Sequence, residues 1–383
     1  MEKIEKSRQP APPAKETIFV SKNTDPYIFI CIILLCLIGI VMVLSSSYYT
    51  AYSRIGNMYH FFRSQTQAVL LGFGVMLIAS QVDYRILKWP SYLGYVAANG
   101  FLAWLIKYGE EINGAKRWFR WGPISFQPSE FAKAMVILTL AFYIFGDKDR
   151  ANSLKGLGKC LIIIGIPCVL VKLGNNMSTA IIIAAIGFGM LFIASSYTKL
   201  LITTAIAGAS ALVTYLFLGG GFRSGRMAAW LDPWSVYSGK GFQVIQSLYA
   251  VASGGFFGLG LGQSRQKLRF MPEPQNDLIF AVICEELGFF GAFIVLLLFA
   301  VLLWRGIKVA LSATDLLGTY IAAGIVTLIG VQVIINVGVV TNTIPNTGIP
   351  LPFISYGGTS LIANLISIGL VLSVRCRYKI INF

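Results

Sequence analysis

Histidine is almost missing from this chain of 383 residues: there is one, His60. A Ser-His-Asp arrangement would rest on that single ring, and a His-rich metal site is excluded. Acids are scarce as well, 16 against 31 lysines and arginines, and charged residues make up only 12% of the chain. A soluble domain carries about twice that share. The six cysteines (31, 36, 160, 168, 284 and 376) show neither CxxC nor metal-ligand spacing. They read as packing residues, and no disulfide framework is expected.

What is abundant is hydrocarbon. Hydrophobic residues are 56% of the chain, and the mean hydropathy is +0.72, which places it among polytopic membrane proteins. Apolar runs near the ~20 residues that cross a bilayer recur along it. Ten are read, at roughly 27 to 47, 66 to 82, 90 to 106, 129 to 145, 160 to 172, 178 to 196, 200 to 218, 278 to 303, 316 to 340 and 359 to 374. The expected fold is therefore an all-α integral membrane protein of ten transmembrane helices. Residues 1–25 form a polar, proline-bearing tail expected to be disordered, and 26–383 form a single membrane domain. The first run is too long for a signal-peptide core, so the tail is expected to stay attached.

Orientation follows from positive charge. Lys3, Lys6, Arg8, Lys15 and Lys22 argue for a cytoplasmic N-terminus, and ten crossings return the C-terminus to the same side. The loops that should then be inside carry Arg85 and Lys88, Lys148 to Lys159, Lys199, Arg305 and Lys308, and Arg375 to Lys379. The outer side is basic too. Lys107, Lys116, Arg117 and Arg120 lie in one outer loop, and Arg223, Arg226, Lys240, Arg265, Lys267 and Arg269 in the large extracellular loop 219–276 between helices 7 and 8. Either long loops translocate regardless of charge, or an anionic ligand is held at the outer face.

Sorting the acids leaves eight that can serve an outer site: Glu110, Glu111, Glu130, Asp232, Glu273, Asp277, Glu285 and Glu286. Asp277 stands between the polar approach Pro272-Glu273-Pro274-Gln275-Asn276 and the apolar run from Leu278. An acid beside hydrocarbon costs at least ~2.5 kcal/mol to insert, so a function is the default hypothesis. Such a setting raises a carboxylate towards general-base range. An acid favoured at a helix N-terminus fits the spacing equally well. Glu285 and Glu286 lie too deep to share a site with Asp277 and are expected to bond between helices.

Glu130 and Lys133 stand three apart at the start of a helix that Pro128 opens, which suits a local ion pair. In the other arrangement Lys133 reaches Asp277 across helices and holds it ionised. Gly254 to Gly262 is followed by Arg265, Lys267 and Arg269 but is no Walker A, and no nucleic-acid partner is expected. Its amides suit either a pyrophosphate cradle or an interfacial loop with snorkelling cations. At Asn175-Asn176 a polar break separates two helices, with one asparagine expected to cap the second.

Four motifs now carry a resemblance. They are Gly114-Ala115-Lys116-Arg117-Trp118; Gln127-Pro128-Ser129-Glu130-Phe131-Ala132-Lys133; Pro272 to Asp277 with Phe280-Ala281 and Glu285-Glu286-Leu287-Gly288; and Pro345-Asn346-Thr347-Gly348-Ile349-Pro350 running on to Gly358. In order and spacing they resemble the SEDS proteins (shape, elongation, division and sporulation) over essentially the whole chain after the tail. Gln246-Ser247-Leu248-Tyr249 and Gly262 to Lys267 look more like the FtsW and SpoVE branch than RodA.

The resemblance implies a peptidoglycan glycosyltransferase that polymerises lipid II at the outer face of the bacterial cytoplasmic membrane beside a class B penicillin-binding protein. It implies Asp277 as the required aspartate and catalytic base, Glu130 and Lys133 in the active region, and Lys116, Arg117, Arg265 and Lys267 on the pyrophosphate. A divalent cation is possible on family grounds, with no ligand cage visible in the sequence. Where many members have Pro-Asp-Leu-Gly-Thr, this chain has Asn175-Asn176-Met177-Ser178-Thr179, so a role resting on that acid is absent here. A lipid II flippase and a scaffold for the penicillin-binding protein are the alternatives.

Overall fold

The structure, a computed structural model, describes residues 18–20, 25–112, 115–121, 124–218, 222–237, 240–268, 271–375 and 377–379. Ten helices of at least 18 residues fall on the ten apolar runs. They are α1 (Pro26–Ile55), α2 (His60–Gln81), α3 (Lys88–Tyr108), α4 (Pro128–Phe145), α5 (Leu154–Leu173), α6 (Met177–Ala194), α7 (Thr198–Leu218), α10 (Ile279–Leu311), α11 (Leu316–Val340) and α12 (Gly358–Arg375). Among the described residues, eight of them, α1, α2, α4, α5, α6, α10, α11 and α12, are long and apolar enough to cross a membrane. The chain is a multi-pass membrane protein.

Helix ends follow local chemistry. Asp25 caps α1 by accepting from the amides of Tyr27 and Ile28. Ser153 caps α5 through Gly156, which starts that helix six residues before its apolar run and makes it long enough to cross. Asn176 caps α6, accepting from the Thr179 amide and hydroxyl. The polar break is thus a turn between helices, with Asn175 in the left-handed region.

The two loops expected on the outer side are more ordered than the apolar pattern predicts. Residues 108–127 contain a three-stranded antiparallel sheet, β2 (Glu110–Ile112), β3 (Ala115–Trp121) and β4 (Ile124–Phe126), in the order β2-β3-β4. The long loop contains α8 (Phe222–Leu231) and α9 (Lys240–Ser253), neither long enough to register as a span. Of the tail expected to be disordered, Ile18–Val20 form β1, paired antiparallel with β5 (Arg377–Lys379); residues 1–17 and 21–24 lie outside the described residues.

The long helix α10 is broken. Gly288 has φ +67° and ψ −167°, which interrupts the backbone ladder between two and three turns into the apolar segment. Hydrocarbon offers no water to satisfy the freed groups. The glycine run after α9 fills the gap: the carbonyls of Glu285 and Glu286 accept from the amides of Leu259 (2.9 Å) and Gly260 (3.0 Å), while the amides of Phe289 and Phe290 donate to the carbonyls of Gly255 (2.9 Å) and Phe256 (3.1 Å). The run is a backbone splice. Its Gly258, Leu259 and Gly260 amides donate to carbonyls, so these three are spent on the backbone and not on the pyrophosphate cradle considered for the run.

The splice is locked by the two glutamates. Glu285 accepts from the Ser264 hydroxyl and from the amides of Arg265 and Gln266. Glu286 pairs with Lys267 at 2.7 Å and accepts from Ser45 of α1, whose hydroxyl also receives Lys267 Nζ at 3.0 Å. The interhelical bonding expected of both glutamates holds for Glu286 only. Both members of the ion pair are almost fully buried, at 2% and 0% side-chain exposure, and a buried charge left unpaired costs about 3–5 kcal/mol.

At the other end of the same two helices Asp25 pairs with Arg305. Asp25 and Ser45 are separated by 20 residues and Glu286 and Arg305 by 19, so α1 and α10 run antiparallel in register. The two clusters stand ~30 Å apart at 1.5 Å per residue, close to the thickness of a bilayer core.

The splice tolerates no side chain where it passes Glu286. A Cβ on Gly258 would lie 2.2 Å from the Glu286 carbonyl, on a backbone at φ +81°, whereas one on Gly74 meets nothing within 4 Å. Gly258→Ala is expected to lower the melting temperature of the detergent-solubilised protein by several degrees, with Gly74→Ala unchanged, by a fluorescence melt; equal melting of the two variants would contradict the splice.

Candidate active site

Asp277 stands where the loop from the splice meets α10. Leu278, not Asp277, is the N-terminal boundary residue of α10, and no side chain caps that end. The carboxylate is therefore not spent on the helix. The main-chain carbonyl of Asp277 is fixed instead: Asn336 of α11 donates to it and to the Ile349 carbonyl, both at 2.8 Å. One amide side chain thereby fastens the entry of α10 to the Pro345–Pro352 loop.

Gly348 lies in that loop at φ +68°, and the position its Cβ would take is 3.6 Å from Asp277 Oδ2 and 3.9 Å from Arg117 Nη1. A side chain there would cover the carboxylate. Its absence leaves Asp277 and Arg117 open to a common space. A second guanidinium, Arg226 of α8, also acts on the same carboxylate.

Burial pushes the Asp277 carboxyl up to about 6, with Glu273 adding to the rise and Arg117 and Arg226 holding it back. A pKa near 6 suits a base that is ionised at neutral pH yet still binds a proton usefully. Burial also lowers the pKa of Arg117, and Arg226 beside it adds to the lowering. Arg117 Nε is buried with no hydrogen-bond partner, which leaves it a donor for an incoming anion.

Of the residues singled out in the sequence, Asp277 and Arg117 share this space and the others do not. Lys133 pairs with Glu130 at 2.8 Å, both nearly fully buried, as the local ion pair within α4. The cations acting on Asp277 are Arg117 and Arg226, so the approach of Lys133 to Asp277 gives way to its own closer partner. Lys116 donates from Nζ to the Ile106 carbonyl at 3.0 Å, and its amide bonds the Gly174 carbonyl. It ties the sheet to α3 and to the α5–α6 turn.

Lys267 is buried in the Glu286 clamp, and Arg265 contributes its amide to Glu285 while its side chain stays exposed. Gly114 and Arg269 lie outside the described residues, as do the side chains of Arg120, Arg223 and Lys240. His60 is exposed at the start of α2, in edge contact with Phe61.

Arg226 is the site residue that sequence reasoning did not single out. It was one of the unexplained outer cations, and that excess of charge is the signal that marks it. Asn336 had no signal, since a polar residue on an apolar helix reads as packing glue.

The family model described as cell cycle protein, covering FtsW, RodA and SpoVE, matches residues 25–379. Stage V sporulation protein E of Bacillus subtilis is 40% identical over 94% of this chain and 99% of its own length. A probable peptidoglycan glycosyltransferase FtsW of Geobacter sp. strain M18 is 35% identical over 93% and 97%.

Among solved structures, a chain from a study of polymerization and crosslinking by a peptidoglycan synthase complex superposes with a TM-score of 0.77 at 28% identity, covering 92% of this chain and 98% of that one. Rod shape determining protein RodA of Thermus thermophilus does so with 0.69 at 26% identity, covering 92% and 97%. A match of this extent leaves little of the chain outside it, and the protein belongs to the FtsW/RodA/SpoVE family of membrane proteins.

Proposed function

We propose that this chain is a peptidoglycan glycosyltransferase that polymerises lipid II, with Asp277 as general base. The observation that carries the reading is a carboxyl raised to about 6 facing the open side of Gly348 together with Arg117. The 4-hydroxyl of the acceptor GlcNAc loses its proton to Asp277 as its oxygen bonds to the anomeric carbon of the donor MurNAc. The bond from that carbon to the lipid pyrophosphate breaks, and inversion of an α-linked donor gives a β-1,4 glycan.

Charge develops on the departing pyrophosphate, and fixed guanidiniums stabilise such charge without reorganising. Arg117 and Arg226 take that role, in place of the Lys116, Arg265 and Lys267 set implied by resemblance. A divalent cation fits this donor set poorly, because a hard cation wants six or more oxygens. Among the described residues no three His, Cys, Asp or Glu cluster, and two guanidiniums already face the carboxylate.

The topology that goes with this reading has all ten long helices crossing, both termini cytoplasmic and Asp277 on the outer face, where lipid II presents its sugars. The basic inner loops support that orientation. A class B penicillin-binding protein is the partner proposed for the finished strands, in keeping with the synthase complex from which a structural relative comes. The names of the relatives support both division and sporulation as settings.

Three measurements test the site. Polymerisation of purified lipid II by Asp277→Asn should fall by 10²–10⁴-fold, and normal glycan synthesis by that variant would sink the proposal, as would lipid II translocation in liposomes with no glycan formed. In wild type, kcat/KM should rise about tenfold per pH unit up to roughly pH 6 and then level; since Arg117 lowers the Asp277 pKa, Arg117→Gln should move that limb to higher pH. A native pKa of about 6 against an ordinary 3.8 means that ionising Asp277 costs stability. That cost is absent below pH 4 and grows as pH rises through 6. Asp277→Asn should therefore melt above wild type at pH 7.5, the gap closing towards pH 4.

A further inference from the structure

At the end of the bundle opposite Asp277, a cavity of about 280 Å³ opens between the start of α1 and the ends of α10 and α12, lined by Asp25, Arg305, Lys308, Val309, Ser312 and Arg375. Its one acid is already committed. The Asp25 carboxylate accepts from two α1 amides and from the Arg305 guanidinium, which also lies 4.8 Å over the Tyr27 ring. Lys308 Nζ sits 3.8 Å over the Trp304 ring. Both Lys308 and Arg375 line the cavity, and among the described residues neither has an acidic partner.

Cations in the last turns of α10 and α12 suit the helix dipoles, and that alone would leave them pointing to solvent. Here they share the wall of one cavity, which Ser312 also lines. Around it the surface is of the kind that lipid covers: Tyr27, Trp304, Ile307 and Leu311 are all exposed, and tyrosine and tryptophan mark the headgroup level. The cavity lies ~30 Å along α1 from Ser45 and Glu286, one bilayer core away.

We propose that this cavity binds the phosphate of an anionic phospholipid headgroup, with Lys308 and Arg375 as its charge partners and the acyl chains lying against Ile307 and Leu311. Basic pockets between membrane helices are built for this chemistry. A zwitterionic headgroup brings its own cation against Arg305 and Lys308, and inorganic phosphate has no chains to bury, so both bind more weakly.

The test titrates the delipidated full chain in detergent with phosphatidylglycerol, phosphatidylcholine or inorganic phosphate, read by native mass spectrometry. Removing both charges in Lys308→Gln/Arg375→Gln should weaken phosphatidylglycerol binding by about 25-fold, roughly fivefold per charge. The charge-conserving Lys308→Arg/Arg375→Lys should retain it, as should Lys155→Gln/Lys199→Gln, which removes two exposed lysines of other helices.

Unchanged binding in the first pair, lost binding in the charge-conserving pair, or equal loss in the Lys155/Lys199 pair would each overturn the site. Binding of phosphate or phosphatidylcholine as tight as that of phosphatidylglycerol would overturn the lipid assignment.

Discussion

No backbone amide or carbonyl can be left unpaired in hydrocarbon, and the break in α10 turns that constraint into the architecture of the half of this protein that holds Asp277. Gly288 frees four backbone groups at bilayer depth, and the Gly255–Gly260 segment supplies four partners in return. The glycines are needed because the segment passes within contact of the helix backbone and takes left-handed turns at Gly255, Gly258 and Gly260. The chain that leaves this splice is the same chain that arrives, 17 residues later, at Asp277. The entry of α10 at Asp277 thus stands about three helical turns from the repair, and Asn336 of α11 fixes the Asp277 main-chain carbonyl.

Charge in that half is divided between two jobs. Glu285, Glu286, Lys267 and Ser264 bond one another beneath the surface, and Glu130 pairs with Lys133 in α4. These groups are buried and matched, so they hold shape and have little left for a ligand. Arg117 and Arg226 act together on the Asp277 carboxylate and, after its own backbone amide, hold its pKa down against burial. At the far ends of α1 and α10, Asp25 and Arg305 are matched, while among the described residues Lys308 and Arg375 line the cavity there without an acidic partner.

The ten apolar runs were legible because twenty residues of hydrocarbon need no tertiary context to be recognised. The three-stranded sheet in residues 110–126 was not, since its aromatic and basic residues alternate over too short a stretch to outweigh a loop reading. The function of the glycine run was not legible for a physical reason: clustered glycines signal an exposed or closely approached backbone, and the pattern does not say whether an anion or a carbonyl approaches. Asp277 was legible as a costly acid at the edge of an apolar run, but its partner was not. Lys133 was preferred for its place at the outer start of another helix, and it lies in α4 against Glu130 three residues away, where a local pair forms without any help from the fold.

By itself, then, the sequence determined that this is a polytopic helical membrane protein with a charged outer rim and one exceptional aspartate, because hydrophobicity and charge cost are properties of each segment alone. Only the tertiary structure decided which cations neutralise glutamates and which face Asp277. That choice depends on separations of a few ångströms between residues up to 160 positions apart, such as Arg117 and Asp277, and Coulomb energy follows distance in space, which the order of residues along the chain does not encode.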